Sequence, residues 1–201
     1  MQICRYLILL LLLSLAFTLS GGCTTTPSSL PANGTAMPVT GSGQPAETVR
    51  PWTSIPVTDA VTGTETTIHD LAEAGQPVVM HTFAVWCPAC SMQLRETQRL
   101  LGENPGRFQV LGVDIDPRES TDLIRSHIQK NGFTGIYVPA PEAFTRSLME
   151  TVGYQVVSSL PQTVIICNRT VVYIGDGVYP ASRLDQILAE ICGPAPAGSS
   201  P

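Results

Sequence analysis

The sequence has little lysine and, through its first quarter, almost no charge of either sign. Lys130 is the only lysine among 201 residues, and eleven basic side chains face sixteen acidic ones, for a formal net charge of −5. Between Arg5 and Glu47 no side chain is charged. Nucleic-acid binding needs clustered Lys and Arg that displace counterions, so this balance argues against a nucleic-acid partner. No internal repeat is visible, and the length suits one domain of ordinary size with extensions.

Only one long apolar run occurs, and it lies within residues 1–22. The run from Leu7 to Leu19 has the length of an export-signal core and is short for a membrane span. Small residues and then Cys23 follow, which resembles a lipoprotein signal whose cysteine is lipidated, although Leu19 lies four positions before Cys23 instead of three. The alternative is an uncleaved N-terminal anchor with Cys23 unmodified. Both predict a location on the outer face of the cell membrane.

Residues 23–51 contain mostly Thr, Ser, Pro and Gly, with few large apolar side chains. Such a segment buries too little surface to offset its ordering entropy, so we predict a flexible tether, roughly 30 Å from end to end. Residues 193–201 have a similar composition and predict a disordered tail. Asn33 and Asn168 begin Asn-X-Thr triplets, and whether they are glycosylated stays open.

Residues 52–192 alternate between strand-like and helix-like patterns. We predict strands at 52–57 and 64–68, forming a short hairpin, and at 77–85, 108–115, 163–167 and 171–174. We predict helices at 91–101, from Ser120 or Thr121 to Gly132, and at 141–152 and 181–192. This order predicts a three-layer α/β domain with a central mixed sheet flanked by helices.

Six cysteines suit a disulfide-stapled miniprotein only in much shorter chains, and this chain is long enough to bury a core. Cys87 and Cys90, in Trp86-Cys87-Pro88-Ala89-Cys90, fall where a buried strand meets a helix. The helix N-terminus stabilises a thiolate on Cys87, because its amides are unpaired and its dipole end is positive. Cys90, one turn later, is within reach of a mixed disulfide on Cys87. Pro88 suits the first turn because it has no amide hydrogen.

Two other interpretations of this pair are a structural disulfide and half of a zinc site. A zinc site needs two further ligands at suitable spacing. Cys167 and Cys192 are distant in sequence, and the three histidines do not cluster near them. Redox chemistry is therefore favoured, and no metal is expected.

These features together resemble the thioredoxin superfamily, and within it the TlpA/ResA/CcmG group of membrane-anchored extracytoplasmic thiol-disulfide oxidoreductases. The resemblance covers residues 52–192. It rests on the hairpin before the first buried strand, the WCPAC motif, Pro161 in SSLPQTVII, an inserted helix and strand within 120–152, and Gly175 and Gly177 before the last helix. It implies a thioredoxin-like fold and no cofactor other than the redox-active Cys87–Cys90 disulfide.

The resemblance also implies a substrate-binding surface around the cysteine pair. Pro161 is expected to be cis and to face the cysteines, and Leu160 to pair its backbone with an extended substrate. Trp86, Pro88 and Ala89 would complete this surface. The alternative for Pro161 is an ordinary trans proline at the start of a strand.

His81 lies where cytoplasmic thioredoxins carry a buried Asp that helps to deprotonate the second cysteine. It is thus a candidate proton acceptor for Cys90, and the alternative is a core histidine bonded to a backbone group. Asp114 and Asp116 end the second buried strand at the edge that carries Cys87, and we expect them in a solvated loop.

In a thioredoxin topology, Cys167 and Cys192 lie at the same end of the domain, away from Cys87. We predict a structural disulfide between them, which closes a loop of 25 residues and contributes roughly 3 kcal/mol. The alternative is a pair of buried thiols.

The predicted function is disulfide reduction or exchange on exported proteins, with Cys87 and Cys90 recharged by a membrane electron donor such as a CcdA/DsbD-like carrier. Two alternatives on the same fold stay open. A peroxiredoxin-like peroxidase needs a single peroxidatic cysteine with Thr and Arg nearby. Thr82 is not followed by such a cysteine. A copper-delivery module needs CxxxC and a distal histidine, yet no histidine follows His127. The substrate, the reduction potential and the net direction stay open.

Overall fold

The computed structural model describes residues 51–167 and 170–194. The predicted signal segment, nearly all of the tether with Cys23 and Asn33, residue Asn168 and most of the predicted tail lie outside these ranges. Within them, no helix is both long enough and apolar enough to cross a membrane.

In the described part of the chain, seven strands and six helices follow a short 3-10 turn at Trp52–Ser54. The strands are β1 (Val57–Thr58), β2 (Glu65–Thr66), β3 (Val78–Phe83), β4 (Gln109–Asp114), β5 (Ile136–Pro139), β6 (Gln162–Cys167) and β7 (Thr170–Asp176). The helices are α1 (Ile68–Glu73), α2 (Pro88–Glu103), α3 (Thr121–Asn131), α4 (Glu142–Val152), α5 (Gln155–Ser158) and α6 (Ala181–Cys192).

A mixed five-stranded sheet in the order β5-β4-β3-β6-β7 forms the middle layer. Strand β3 pairs parallel with β4 and antiparallel with β6, and β1 and β2 form a separate hairpin. Every residue of β3 and of β6 is buried because helices cover both sheet faces. The predicted three-layer α/β domain with a central mixed sheet is confirmed.

Alternate residues of β3 belong to the two cores on either side of the sheet. Val79 and Phe83 pack with Leu94 of α2 and Leu184 of α6, whereas Met80 packs on the opposite side. That second core contains Trp52, Phe144 and Leu148, with the Trp52 and Phe144 rings edge to face at 5.7 Å. The two cores fix β3, and hence the segment that follows it, at the centre of the five-stranded sheet.

Several boundaries differ from the predicted ones for local reasons. Helix α2 begins at Pro88 and not at Ser91, because the Cys87 sulfur already caps its first turn. Helix α1 begins after Thr67, whose hydroxyl accepts a hydrogen bond from the Asp70 amide, although its six residues are too short for a clear apolar period. The Ser120 cap and the left-handed Gly132 stop of α3 are as expected.

Candidate active site

The cysteine pair lies at the N-terminus of the sixteen-residue helix α2, directly after the central strand β3. Cys87 is the N-cap of α2, with an extended backbone, and its amide donates to the Ala84 carbonyl at 3.1 Å. Pro88 occupies the first helical turn. The turn after β3 therefore holds the first cysteine against the positive end of the helix.

Cys87 and Cys90 form a disulfide, with 5.3 Å between their Cα atoms. The Cys87 Sγ accepts a hydrogen bond from the Cys90 amide at 3.1 Å. Cys87 is 5% exposed and Cys90 only 1% exposed, so the first cysteine is the more accessible residue of the pair. The same amide is positioned to stabilise a thiolate on Cys87 in the reduced form.

A groove of about 500 Å³ opens beside Cys87. Its lining comprises Ala84, Trp86, Cys87, Ile115, Asp116, Pro117, Arg118, Val157, Ser158 and Leu160. The Leu160–Pro161 peptide bond is cis, and Leu160 is half-buried while Pro161 is buried. Pro88 is exposed and Ala89 half-buried between the two cysteines, and neither is among the residues that line this groove. The structure thus brings Trp86, Cys87 and Leu160 to one groove.

Trp86 is 62% exposed and is held by its indole nitrogen, which donates to Asp116 Oδ2 at 2.8 Å. The Arg118 guanidinium donates two hydrogen bonds to the same carboxylate, from Nε at 2.9 Å and from Nη2 at 2.7 Å. These hydrogen bonds, led by that of the Arg118 side chain, hold the pKa of the Asp116 carboxyl well below its usual range. Trp86 therefore presents an ordered aromatic surface next to Cys87.

The expectation of a solvated loop is wrong for Asp114, which is 2% exposed at the end of β4. Its Oδ1 accepts from the Asp116 amide at 2.9 Å, whereas no donor among the described residues reaches its Oδ2. The Glu119 carboxyl lies within hydrogen-bonding reach of Asp114. Burial, then the nearby Glu119 and Asp116, raises the pKa of the Asp114 carboxyl to about 8.

Glu119 joins this buried carboxyl to the backbone of the cysteine motif. Its Oε2 accepts a hydrogen bond from the Val85 amide at 2.8 Å, two residues before Cys87. Nothing in the sequence signals this role, because Glu119 and Val85 are 34 positions apart.

His81 is fully buried, and both of its ring nitrogens have hydroxyl partners. Nδ1 lies 3.0 Å from Thr163 Oγ1, and Nε2 lies 2.9 Å from Thr97 Oγ1. Its partners are thus threonine side chains and not a backbone group, and no described hydrogen bond joins it to Cys90. Burial lowers the pKa of His81 to about 3, so the ring is neutral at neutral pH.

The surrounding hydrogen bonds select one tautomer of the neutral ring. The Gln93 Oε1 accepts from the Tyr179 amide at 2.6 Å, so the Gln93 Nε2 donates to Thr97 Oγ1 at 3.1 Å. The Thr97 hydroxyl donates to the Gln93 carbonyl at 3.0 Å and therefore accepts from His81 Nε2–H. Thr163 then donates to Nδ1, which leaves both threonine protons with acceptors.

Cys167 and Cys192 form a second disulfide, with 5.9 Å between their Cα atoms. It joins the end of β6 to the last residue of α6. Cys167 is 6% exposed and belongs to the same core as Leu184 and Ile187.

Among the described residues, no group of three or more His, Cys, Asp or Glu side chains is arranged to hold a metal ion.

No protein-family model and no curated protein matches the sequence. Solved structures match in fold. A secreted Mycobacterium tuberculosis disulfide oxidoreductase, homologous to E. coli DsbE, is 16% identical with a TM-score of 0.55, over 70% of this chain and 98% of that one. The exposed lipoprotein thioredoxin Etrx1 of Streptococcus pneumoniae is 20% identical with a TM-score of 0.55, over 68% and 98%. The thioredoxin domain of a Bacteroides vulgatus thiol-disulfide oxidoreductase is 16% identical with a TM-score of 0.54, over 68% and 91%. The expected thioredoxin-like fold is confirmed.

Proposed function

We propose that this chain is an extracytoplasmic thiol-disulfide oxidoreductase that reduces or exchanges disulfides of exported proteins. The observation that carries the proposal is the Cys87–Cys90 disulfide at the N-terminus of α2, with the Cys90 amide on the Cys87 sulfur. The named activities of proteins with this fold support the same chemistry.

The proposed reaction begins with the reduced pair. The Cys87 thiolate attacks one sulfur of a substrate disulfide, a mixed disulfide forms, and the first substrate thiolate leaves. The Cys90 thiol loses its proton and attacks the Cys87 Sγ, which breaks the mixed disulfide. The second substrate thiolate departs and takes up a proton. Two electrons pass to the substrate, and the Cys87–Cys90 disulfide is left behind.

The groove beside Cys87 suits an extended segment of a protein substrate. No hydrogen bond within the described part of the chain occupies the Leu160 amide or carbonyl. Leu160 is therefore free to pair with a substrate backbone, as in strand addition. The Trp86 ring, with Pro88 and Ala89 between the two cysteines, would cover the apolar side of that segment.

The proposed location is the outer face of the cell membrane, with Cys23 lipidated and residues 23–51 as the tether. The sequence pattern of residues 1–22 supports it, and proteins with this fold include a secreted oxidoreductase and an exposed lipoprotein. Regeneration of the dithiol needs a two-electron reductant, which we assign to a membrane dithiol carrier of the CcdA/DsbD-like class.

A Cys90→Ser variant tests the chemistry, because it keeps the attacking sulfur and removes the resolving one. We expect it to accumulate mixed disulfides with exported proteins in cells, detected on non-reducing gels and dissolved by dithiothreitol. The Cys87→Ser, Cys90→Ser double variant is the matched control and should accumulate none. If the single variant traps nothing and the wild-type protein does not accelerate insulin reduction by dithiothreitol, the proposed function is wrong.

The anchor is tested separately. A Cys23→Ala variant should leave the membrane fraction if Cys23 carries the lipid. Retention of that variant in the membrane would contradict lipidation and favour an uncleaved N-terminal anchor.

A further inference from the structure

Two carboxyl groups, those of Asp114 and Glu119, meet close to the turn that carries the cysteine motif. Asp114 Oδ2 is buried without a donor among the described residues, and the Glu119 carboxyl lies within hydrogen-bonding reach. Two ionised carboxylates in that contact would repel each other, because Asp114 is buried and solvent screens its charge poorly. A proton on Asp114 removes the repulsion and supplies the missing hydrogen bond.

Two other oxygens of this pair accept hydrogen bonds from backbone amides. Asp114 Oδ1 accepts from the Asp116 amide, and Glu119 Oε2 accepts from the Val85 amide. The second contact matters for the redox site, because Val85 is followed directly by Trp86 and Cys87. The carboxyl pair thereby links the end of β4 to the turn that presents the reactive sulfur.

We propose that Asp114 and Glu119 form a positioning pair for Cys87, in which one shared proton keeps Glu119 on the Val85 amide and its loss loosens the segment that carries Trp86 and Cys87. The role in catalysis rests on the exchange chemistry proposed above, whereas the positioning itself does not. Neither residue touches a substrate, so both act through the backbone of the motif.

The charges of the residues around Asp114 determine how the pair responds to alkaline pH. The register partners of Asp114 on β3 and β5 are Phe83 and Pro139, which carry no charge. Asp116 adds a negative charge on the loop side, compensated by Arg118.

From α3, the half-buried His127 also feels the charge of Glu119. Burial lowers the pKa of His127, so its ring is neutral when Asp114 loses its proton. It therefore supplies no cation to offset the second carboxylate.

The test measures the Val85 amide in the oxidised protein, in which neither cysteine titrates. Hydrogen exchange of this amide is followed by NMR between pH ~6 and ~10 and corrected for intrinsic base catalysis. In the wild-type protein, protection should fall about 3- to 10-fold as Asp114 ionises, which is the loss expected for one hydrogen bond. In Asp114→Asn, whose amide mimics the protonated carboxyl, protection should not change with pH.

Glu119 variants provide the second arm. Glu119→Ala should lower Val85 protection at every pH, whereas Glu119→Gln should restore it, because the amide oxygen still accepts from Val85. Asp122→Asn is the matched control, because it removes a carboxylate that is 84% exposed. The protection of the Val85 amide in this variant should depend on pH as it does in the wild type. Far-UV circular dichroism checks that each variant is folded. If Glu119→Ala does not fold, Glu119→Gln still provides a comparison with the wild type.

A functional arm links positioning to chemistry. In the reduced protein, the alkylation rate of Cys87 should show two steps with pH in the wild type and one step, from the thiol itself, in Asp114→Asn. Equal Val85 protection in Glu119→Ala and wild type, or the same pH step in Asp114→Asn and wild type, would overturn the proposal. Because exchange at Val85 requires no catalysis, these results are independent of whether the protein reduces insulin.

Discussion

Burial acts in opposite senses on His81 and Asp114, because it disfavours whichever form of the group is charged. It lowers the pKa of His81 to about 3 and contributes most to raising that of Asp114 to about 8. Both groups are therefore neutral at neutral pH. The neutral His81 ring donates through Nε2 and accepts through Nδ1, and the neutral Asp114 donates to Glu119.

A His81→Gln variant separates the structural role of His81 from the predicted role as proton acceptor for Cys90. The folded protein resists protonation of His81 until about pH 3, whereas the unfolded chain takes up the proton near the ordinary value of 6.5. His81 therefore makes the folded state lose stability as pH falls from 6.5 towards 3, by at most about 1.4 kcal/mol per pH unit. Urea denaturation of the variant should lack this component.

The exposed His69 provides the control for the loss of an imidazole, and His69→Gln should change the free energy of unfolding by about a few tenths of a kcal/mol at most. The same His81→Gln protein decides the catalytic question. A lower insulin-reduction rate with an altered Cys90 titration would support proton transfer, and an unchanged rate and titration would exclude it.

At the scale of elements, α2 organises both the cysteine pair and the helix that closes the domain. Pro180, the N-cap of α6, makes no side-chain cap bond. Side chains of α2 replace it: Glu96 Oε2 accepts from the Ala181 amide at 2.8 Å, and Gln93 Oε1 accepts from the Tyr179 amide. The start of α6 is thus capped by side chains of α2 and not by its own N-cap residue.

A Glu96→Ala variant should lose about 0.5–2 kcal/mol of unfolding free energy, the range measured for lost helix caps. The Ala181 hydrogen bond and the Arg99 side chain hold the pKa of Glu96 below its usual value. The stabilisation is therefore present above the unfolded-state pKa and is lost as pH falls through the folded-state pKa. Denaturation with urea at neutral and acidic pH measures both effects.

The exposed Glu103, on the same helix, is the matched site for comparison. Glu103→Ala should change stability by a few tenths of a kcal/mol at most. Equal losses in the two variants would show that Glu96 does not cap α6.

For the whole molecule, the two disulfides have different consequences because they close loops of different length. The Cys167–Cys192 bond spans 25 positions and the Cys87–Cys90 bond only three. In the chain-entropy description, the longer loop restricts the unfolded chain far more. The domain thus has its stabilising crosslink at one end of α6 and its reactive one at the start of α2.

A Cys167→Ala, Cys192→Ala double variant should lose about 3 kcal/mol of unfolding free energy and keep its insulin-reduction activity. The Cys87→Ser, Cys90→Ser variant should show the reverse, with little loss of stability and no activity. Guanidinium denaturation and the insulin assay measure both properties. Loss of activity in the first variant while it is still folded would contradict this division of roles.

The order of most strands and helices and the place of the cysteine pair followed from the sequence, whereas strand β5 was expected only from the family resemblance and residues 52–54, expected in a strand, form a 3-10 turn. Both depend on short-range features: apolar runs, the Ser120 cap, the Gly132 stop and a CxxC motif between a strand and a helix. Helices α1 and α5 escaped prediction because their six and four residues hold no full apolar period.

Tertiary structure alone decided which distant side chains meet. Glu119 reaches an amide 34 positions away, and His81 bonds a threonine 82 positions away. Asp114 is buried because β4 lies between β3 and β5, and no residue near it in sequence announces that burial. Hydrogen bonds between elements depend on the strand order and on which sheet face a helix covers. The residues that form the redox pair can therefore be recognised in the sequence, whereas the residues that position it can be recognised only in the fold.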